Sequence, residues 1–528
     1  MRIAPRCLTI PLLCSLGLVL GLDFWLVLYV NDDANHLWAH HSSPDHDTMN
    51  HNNEHDQPTR SLDSLPIVPT PTAEIQTDNV AHNIAGLCCG KHGGPSDEIA
   101  AEMVYWRDIP SDLHFKSPFS SLSTSLDPKY LTFEPDTSGF NNGRIIMETA
   151  VALALAMGRI LVLPPKQKIH MIDNNNEQDV FSFDDFFYLD HSLSSLEMID
   201  MKEFLKREAL TGHLKHKKTG RVSFPRRNRT NWETNWDPTK RKQFAPFWPW
   251  LRNVSHTPKW PAQECIAGFA SEPGKQGTDR MTRYWKETNA TIRSDESRLE
   301  EFDGKPTPVD GSPVSRLREQ LVNRAGLLLY DEQLQNTKVF HIISDTRIAD
   351  KLLVHFYAFL FFEDWHQDLW TKRFVRDHLR YRDEIQCAAA RVVDAVRQKA
   401  RENGNRNGEF DSFHVRRGDF GDVCEESIIG AKEMFDNTFD VLTENATIFI
   451  ATDEMNTTYF DPFRKRYNIH FLDDFQHLIS DLHSTRYGMI DQLVASKGRT
   501  FIGTFYSTFS GYINRLRGYY SQKDRLEG

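Results

Sequence analysis

The segment His414-Val415-Arg416-Arg417-Gly418-Asp419 sets strongly polar side chains directly behind an apolar lead-in. Two adjacent guanidiniums are costly to hold together unless an anion meets them. Phosphate is the usual partner, because the planar fork of arginine matches two of its oxygens. An Arg-Arg pair is also an ordinary solvated surface feature, and the segment alone fits both readings. Its position favours the anion. Residues 404–411 are polar and rich in Gly and Asn, so 412–416 reads as a short buried strand leaving a loop. His414, Arg416 and Arg417 then stand at the carboxyl edge of a sheet, where open α/β folds bind ligands.

Two other segments carry matching chemistry. Gly139-Phe140-Asn141-Asn142-Gly143-Arg144 precedes a helical stretch, 145–157, and a strand, 159–163, stopped by Pro164 and Pro165. A small-residue turn opening a helix offers backbone N–H groups and the positive end of the helix dipole to a phosphate. It also serves as a plain turn and cap. Further on, 500–503 reads as a strand that runs into the hydroxyl-rich turn Thr504-Phe505-Tyr506-Ser507-Thr508-Phe509-Ser510, with a helix expected from Gly511. Between the two, a buried strand over 448–452 ends in Asp453. That acid is placed either to accept from a ribose or base or to cap the next helix.

Taken together, these segments resemble the GDP-fucose protein O-fucosyltransferase family. The resemblance rests on Gly139 to Arg144 with Leu161-Val162-Leu163-Pro164-Pro165, on His414-Val415-Arg416-Arg417, on Ile450-Ala451-Thr452-Asp453, and on Phe501-Ile502-Gly503-Thr504 with Ser507-Thr508-Phe509-Ser510. It implies an α/β, GT-B-like architecture, with two Rossmann-like domains facing a cleft. It also implies an inverting, metal-independent transfer of fucose from GDP-fucose to a protein hydroxyl, with no cofactor beyond the donor. By the same resemblance Arg416 is the catalytic residue, holding the β-phosphate as charge builds on it. Gly139, Phe140 and Asn141 approach the pyrophosphate and fucose, and His414 contacts the nucleotide. Asp453 binds guanine or ribose, and Ser507, Thr508 and Phe509 complete the phosphate and base pocket. Arg417 anchors the strand end, through Asp419. One position departs from the family: some members carry a glutamate base just before the Gly-Phe-Asn turn, and here Ser138 stands there, with Asp136 and Glu148 nearby. That departure supports an alternative, an inactive sugar-nucleotide-binding or lectin-like protein on the same fold.

Composition narrows the partners. The chain has 528 residues and a net charge of −11, which argues against nucleic acid. Residues 8–30 are nearly all apolar, interrupted by Asp23, follow Arg2 and Arg6, and are long enough to span a bilayer, so 1–30 is expected to be a cytosolic tail and retained signal anchor, with a cleaved signal peptide as the alternative. The polar, His- and Pro-containing tract 31–95 is expected to be a flexible stem. Asn-x-Ser/Thr sequons at Asn228, Asn253, Asn289, Asn445 and Asn456 agree with a lumenal catalytic part, in a type II Golgi or endoplasmic reticulum protein. Past the anchor stand Cys88, Cys89, Cys265, Cys387 and Cys424, enough for one or two disulfides of unreadable pairing. No Cys-x-x-Cys pair points to zinc. An Asp-x-Asp motif occurs only in the stem, at Asp45-His46-Asp47, which favours a metal-free mechanism.

Two halves are expected, 96–345 and 346–528. The first includes a long irregular excursion, 173–313, with the aromatic cluster Trp232, Trp236, Phe244, Phe247, Trp248, Trp250 and Trp260. That cluster either packs over the core or forms an acceptor surface. The second alternates helical patterns (348–362, 382–401, 431–442, 485–497) with strands (412–416, 448–452, 469–472, 500–503), the rhythm of a doubly wound parallel sheet.

Overall fold

The computed structural model describes residues 27–29 and 86–522, except for 136–138, 170–171, 173–179, 190–194, 225–246, 263, 297–310, 322–325, 344–358 and 423–427. The first described strand, β1 (Val27–Tyr29), joins the sheet of the second half. The first half runs through β2 (Tyr130–Phe133), β3 (Ile160–Leu163), β4 (Phe187–Tyr188), β5 (Met198–Asp200), β6 (Cys265–Phe269), β7 (Gly326–Leu329), β8 (Val339–Ile342) and β9 (Leu360–Phe362). A parallel sheet has the order β5-β3-β2-β8. Every residue of β2 and β3 is buried, as expected of parallel strands covered on both faces.

Helix α1 (Phe140–Met157) links β2 to β3 and is buried almost all round, which its run of Ala, Leu, Ile and Val allows. It ends at Gly158, whose φ of 60° is left-handed and whose N–H donates to the Ala154 and Leu155 carbonyls. A Cβ at Gly158 would lie 2.5 Å from the Ser120 backbone nitrogen, so packing demands glycine as well as conformation.

The excursion expected to be irregular is not so throughout. It holds α2 (Phe247–Val254), β6 and α3 (Gly274–Glu296), and β6 forms a second parallel sheet in the order β7-β6-β9. Phe247, Trp250 and Leu251 of α2 are buried against Tyr130 and Val162, so this part of the aromatic cluster is core. Trp232, Trp236 and Phe244 lie outside the described residues. The pairing of β9 with β6 also carries the first half past residue 345, to at least Phe362. The expected helix over 348–362 is therefore strand at its end. A continuous apolar run reads equally well as buried helix or buried strand, and neighbours decide between them.

The second half continues with α4 (Trp365–His378), β10 (Arg380–Tyr381), α5 (Asp383–Glu402), β11 (Asp411–Val415), α6 (Ala431–Thr438), β12 (Thr447–Thr452), β13 (Asn468–His470), α7 (Tyr487–Ala495), β14 (Phe501–Gly503) and α8 (Thr508–Gln522). Its sheet has the order β1-β14-β11-β12-β13, parallel except for β1. Helix α8 starts ahead of Gly511, so Thr508, Phe509 and Ser510 belong to its first turn.

Most of 1–30 lies outside the described residues, but β1 is extended, pairing antiparallel with β14 so that Leu28 faces Ile502. The expected helix does not run through it. An apolar segment of strand-forming residues satisfies the open edge of β14 here. Among the described residues no helix is long and apolar enough to cross a membrane. The expected stem is shortened too: Cys89 is fully buried and disulfide-bonded to Cys387 of α5, so the folded body begins by residue 86.

The halves share one hydrophobic core and a buried ionic clamp. Glu148 of α1 accepts from Arg144 at 2.5 Å and from Arg515 of α8, and the Arg144 guanidinium lies 3.7 Å from the Tyr512 ring centroid. Burial pushes the Glu148 carboxyl up, but the two guanidiniums more than offset it and hold it below the ordinary range.

Candidate active site

From β11 the chain goes to β12 and β13 on one side, then returns through β14 on the other. The crevice between the carboxyl ends of β11 and β14 is thus the point where strand order reverses, the usual ligand site of an open parallel sheet. A pocket opens there, lined by His414, Arg416, Arg417, Thr504, Phe505 and Met434.

The sheet register assembles the pocket's charges. Val415 lies opposite Thr452, so Arg416 and Asp453 emerge side by side. The Arg416 guanidinium donates to Asp453 Oδ2, and its backbone N–H donates to the Thr504 hydroxyl at 2.9 Å. Asp453 Oδ1 also accepts from the Arg417 N–H at 2.7 Å. The acid expected to meet guanine or ribose is therefore already committed to the arginine segment. Arg417 turns away: it donates to Glu454 at 2.8 Å and stacks 4.0 Å from the Tyr459 ring centroid. It anchors the strand end as expected, but through Glu454; the Asp419 side chain lies outside the described residues.

His414 is 4% exposed, hydrogen-bonded through Nδ1 to the Ser510 hydroxyl at 2.7 Å and stacked on Phe509 with centroids 4.3 Å apart. Burial, reinforced by Arg416, pushes its pKa down to about 3. It is a neutral imidazole in the pocket floor, without charge for a phosphate. Ser507 and Thr508 lie at the start of α8, where helix-terminal N–H groups favour an anion.

The first-half turn approaches from across the molecule. Gly139 caps α1, and Asn141 Oδ1 accepts from Gln492 of α7 at 2.8 Å, while Gln492 Oε1 accepts from the Tyr381 hydroxyl at 2.7 Å. Phe140 differs from expectation. Its ring is buried among Phe186, Phe187 and Tyr381, where it fixes the turn. Asp136 and Ser138 lie outside the described residues, and Glu148 is locked in its clamp.

Two groups escaped the sequence reading. At the carboxyl end of β2, Glu134 accepts from Arg252 Nε and Nη2, each at 2.5 Å, and its Oε1 lies 3.1 Å from His341 Nε2. His341 Nδ1 in turn sits 2.8 Å from the Thr132 hydroxyl. On α7, Asp491 has a carboxyl pushed well above its ordinary range by burial and then by Asp473. Its Oδ1 is buried without a hydrogen-bond partner among the described residues. Neither carries a local signal. The first network joins distant strands, and Asp491 reads simply as one polar residue of an amphipathic helix.

The family model described as GDP-fucose protein O-fucosyltransferase matches residues 130–520. The chain belongs to that family, a family of glycosyltransferases. No curated protein matches the chain. Similar solved structures include fucosyltransferase NodZ from Bradyrhizobium, at 12% identity and a TM-score of 0.33, covering 74% of this chain and 93% of that one. Another is POFUT1 in complex with GDP, at 13% identity and a TM-score of 0.31, covering 75% and 97%. At that level of similarity neither bears on function.

Proposed function

We propose that the protein transfers fucose from GDP-fucose to a protein hydroxyl, with inversion and without a metal, on a GT-B-like pair of halves. The observation that carries this reading is Arg416 at the strand-order reversal between β11 and β14, with His414 of the same strand end bonded to Ser510 in the first turn of α8. A diphosphate seated there meets a guanidinium and helix-terminal N–H groups together. As the bond from fucose C1 to the β-phosphate oxygen breaks, negative charge grows on the phosphate. Arg416 is worth most at that moment. Asp453 holds the guanidinium in place beforehand, so little reorganisation is needed when the charge develops. Gly139 and Asn141 bring the first half toward the sugar.

The acceptor hydroxyl attacks C1 from the opposite face and loses its proton. Among the described carboxylates near Gly139, Glu134 is bound by Arg252 and His341, and Glu148 by Arg144 and Arg515. In this reading the leaving phosphate takes the proton, as a dissociative reaction permits. We place the catalytic part in the lumen of the Golgi or endoplasmic reticulum. The Cys89–Cys387 disulfide supports an oxidising compartment, and Asn445 and Asn456 are exposed on either side of β12.

The test is a titration of GDP-fucose, GDP-mannose and a UDP-sugar, followed by turnover with donor alone and with candidate protein acceptors, each with and without chelator. GDP-fucose should bind preferentially and turn over equally well in chelator. Strict manganese dependence, or preference for the UDP-sugar, refutes the proposal. Tight donor binding with no turnover on any acceptor favours the inactive alternative.

A further inference from the structure

The turn between β14 and α8 displays two aromatic rings beside the basic pocket. Phe505 and Tyr506 are 40% and 42% exposed, with centroids 4.2 Å apart. Phe505 lines the pocket together with Arg416 and Arg417. The turn is pinned on both sides of the pair. The Thr504 N–H donates to the His414 carbonyl at 3.0 Å, and the Gly511 N–H donates to the Ser507 carbonyl at 3.0 Å. Between these pins Tyr506 has φ 59°, a left-handed conformation that residues with a Cβ rarely adopt. A strained turn that holds apolar rings out at the mouth of a binding pocket points to a ligand surface.

We propose that Phe505 and Tyr506 form an apolar platform for the donor sugar and select a 6-deoxyhexose over its 6-hydroxy counterpart. The proposal rests on the donor reading above. The order of the donor's parts sets the assignment. Phe505 follows Thr504, whose hydroxyl takes the Arg416 N–H, so the ring stands next to the residue assigned to the β-phosphate. The sugar is bonded to that phosphate. The other aromatic residue of this segment, Phe509, is already stacked on His414. A 6-deoxy sugar turns a methyl group toward the rings. A 6-hydroxy sugar turns a hydroxyl onto the Phe505 ring, whose carbon offers it no hydrogen bond.

The test compares Phe505→Ala, Tyr506→Ala and Tyr506→Gly, each titrated with GDP, GDP-L-fucose and GDP-L-galactose, the 6-hydroxy counterpart, with a melting curve for each. The unsubstituted protein should prefer GDP-fucose by about 10- to 100-fold, the range an apolar contact reaches against an added hydroxyl. Each substitution should cut that preference by about tenfold while GDP affinity stays within about threefold, because GDP lacks the sugar. Tyr506→Gly separates recognition from folding: glycine takes φ 59° freely, so it should melt no lower than the unsubstituted protein and still lose the preference. A fall in GDP affinity matching that for GDP-fucose overturns the proposal, since the rings would then be serving the nucleotide. Variants that keep the preference overturn the platform alone. An unsubstituted protein that binds neither GDP-sugar overturns the donor reading and the platform with it.

Discussion

Arg416 is held at two points, by Asp453 at its guanidinium and by Thr504 at its N–H. Lysine keeps the charge but not the fork that grips two oxygens. Arg416→Lys and Arg416→Ala should both lower kcat about 100-fold or more, by the measure of a lost oxyanion donor, with a smaller loss of GDP affinity. Asp453→Asn should lower kcat less, because the arginine remains but loses its fixed aim. Arg417→Ala should act on melting temperature, since Arg417 pairs with Glu454 and Tyr459 away from the phosphate position. Near-normal turnover of Arg416→Ala at saturating donor would remove the assigned role. The basic segment was legible because His, Arg and Arg directly follow an apolar strand. The Arg416–Asp453 pairing was not, because it depends on the register of β11 against β12.

Among the elements, α1 shows how a terminus is set by its surroundings. Gly158 combines a left-handed φ with a virtual Cβ 2.5 Å from the Ser120 nitrogen. Gly158→Ala should therefore cost about 2–5 kcal/mol, adding left-handed strain to overpacking against backbone. Gly143 lies in the same helix with nothing within 4 Å of its virtual Cβ. Gly143→Ala should be neutral or stabilising by about 0.5–1 kcal/mol. Urea denaturation of the pair checks the contrast, and equal effects would show that packing at Ser120 is not the constraint. The strands of the second half were readable from short apolar runs between turn signals. The β7-β6-β9 sheet was not, since Cys265–Phe269 is brief and stands among prolines and loops.

For the whole molecule, the Arg144–Glu148–Arg515 clamp ties α1 to α8 with all three side chains nearly or fully buried. Glu148→Gln leaves two guanidiniums without their anion and should cost about 3–5 kcal/mol, the usual result of breaking a buried ion pair from one side. The sign with pH follows from a carboxyl held below its ordinary value of 4.5. The clamp's contribution is complete above that value and is lost as pH falls below it through the folded-state pKa. Melting curves from neutral to acid pH should show the unsubstituted protein converging on Glu148→Gln. An acid dependence identical in both would exclude the clamp as its source.

The amino-acid order by itself determined the family resemblance, the parallel rhythm of the second half and the placing of Arg416 at a strand end. Each of these depends on residues adjacent in sequence: an apolar run, the polar residues that stop it, a turn that opens a helix. Only the tertiary structure decided who meets whom. It gave Asp453 to Arg416, Phe140 to an aromatic core, Glu148 to Arg515, and Leu360–Phe362 to the first half. The physical reason is that a charge or ring buried in a protein takes whatever partner the packing brings near. That partner is set by strand register and helix docking across hundreds of residues, and no local spacing records it.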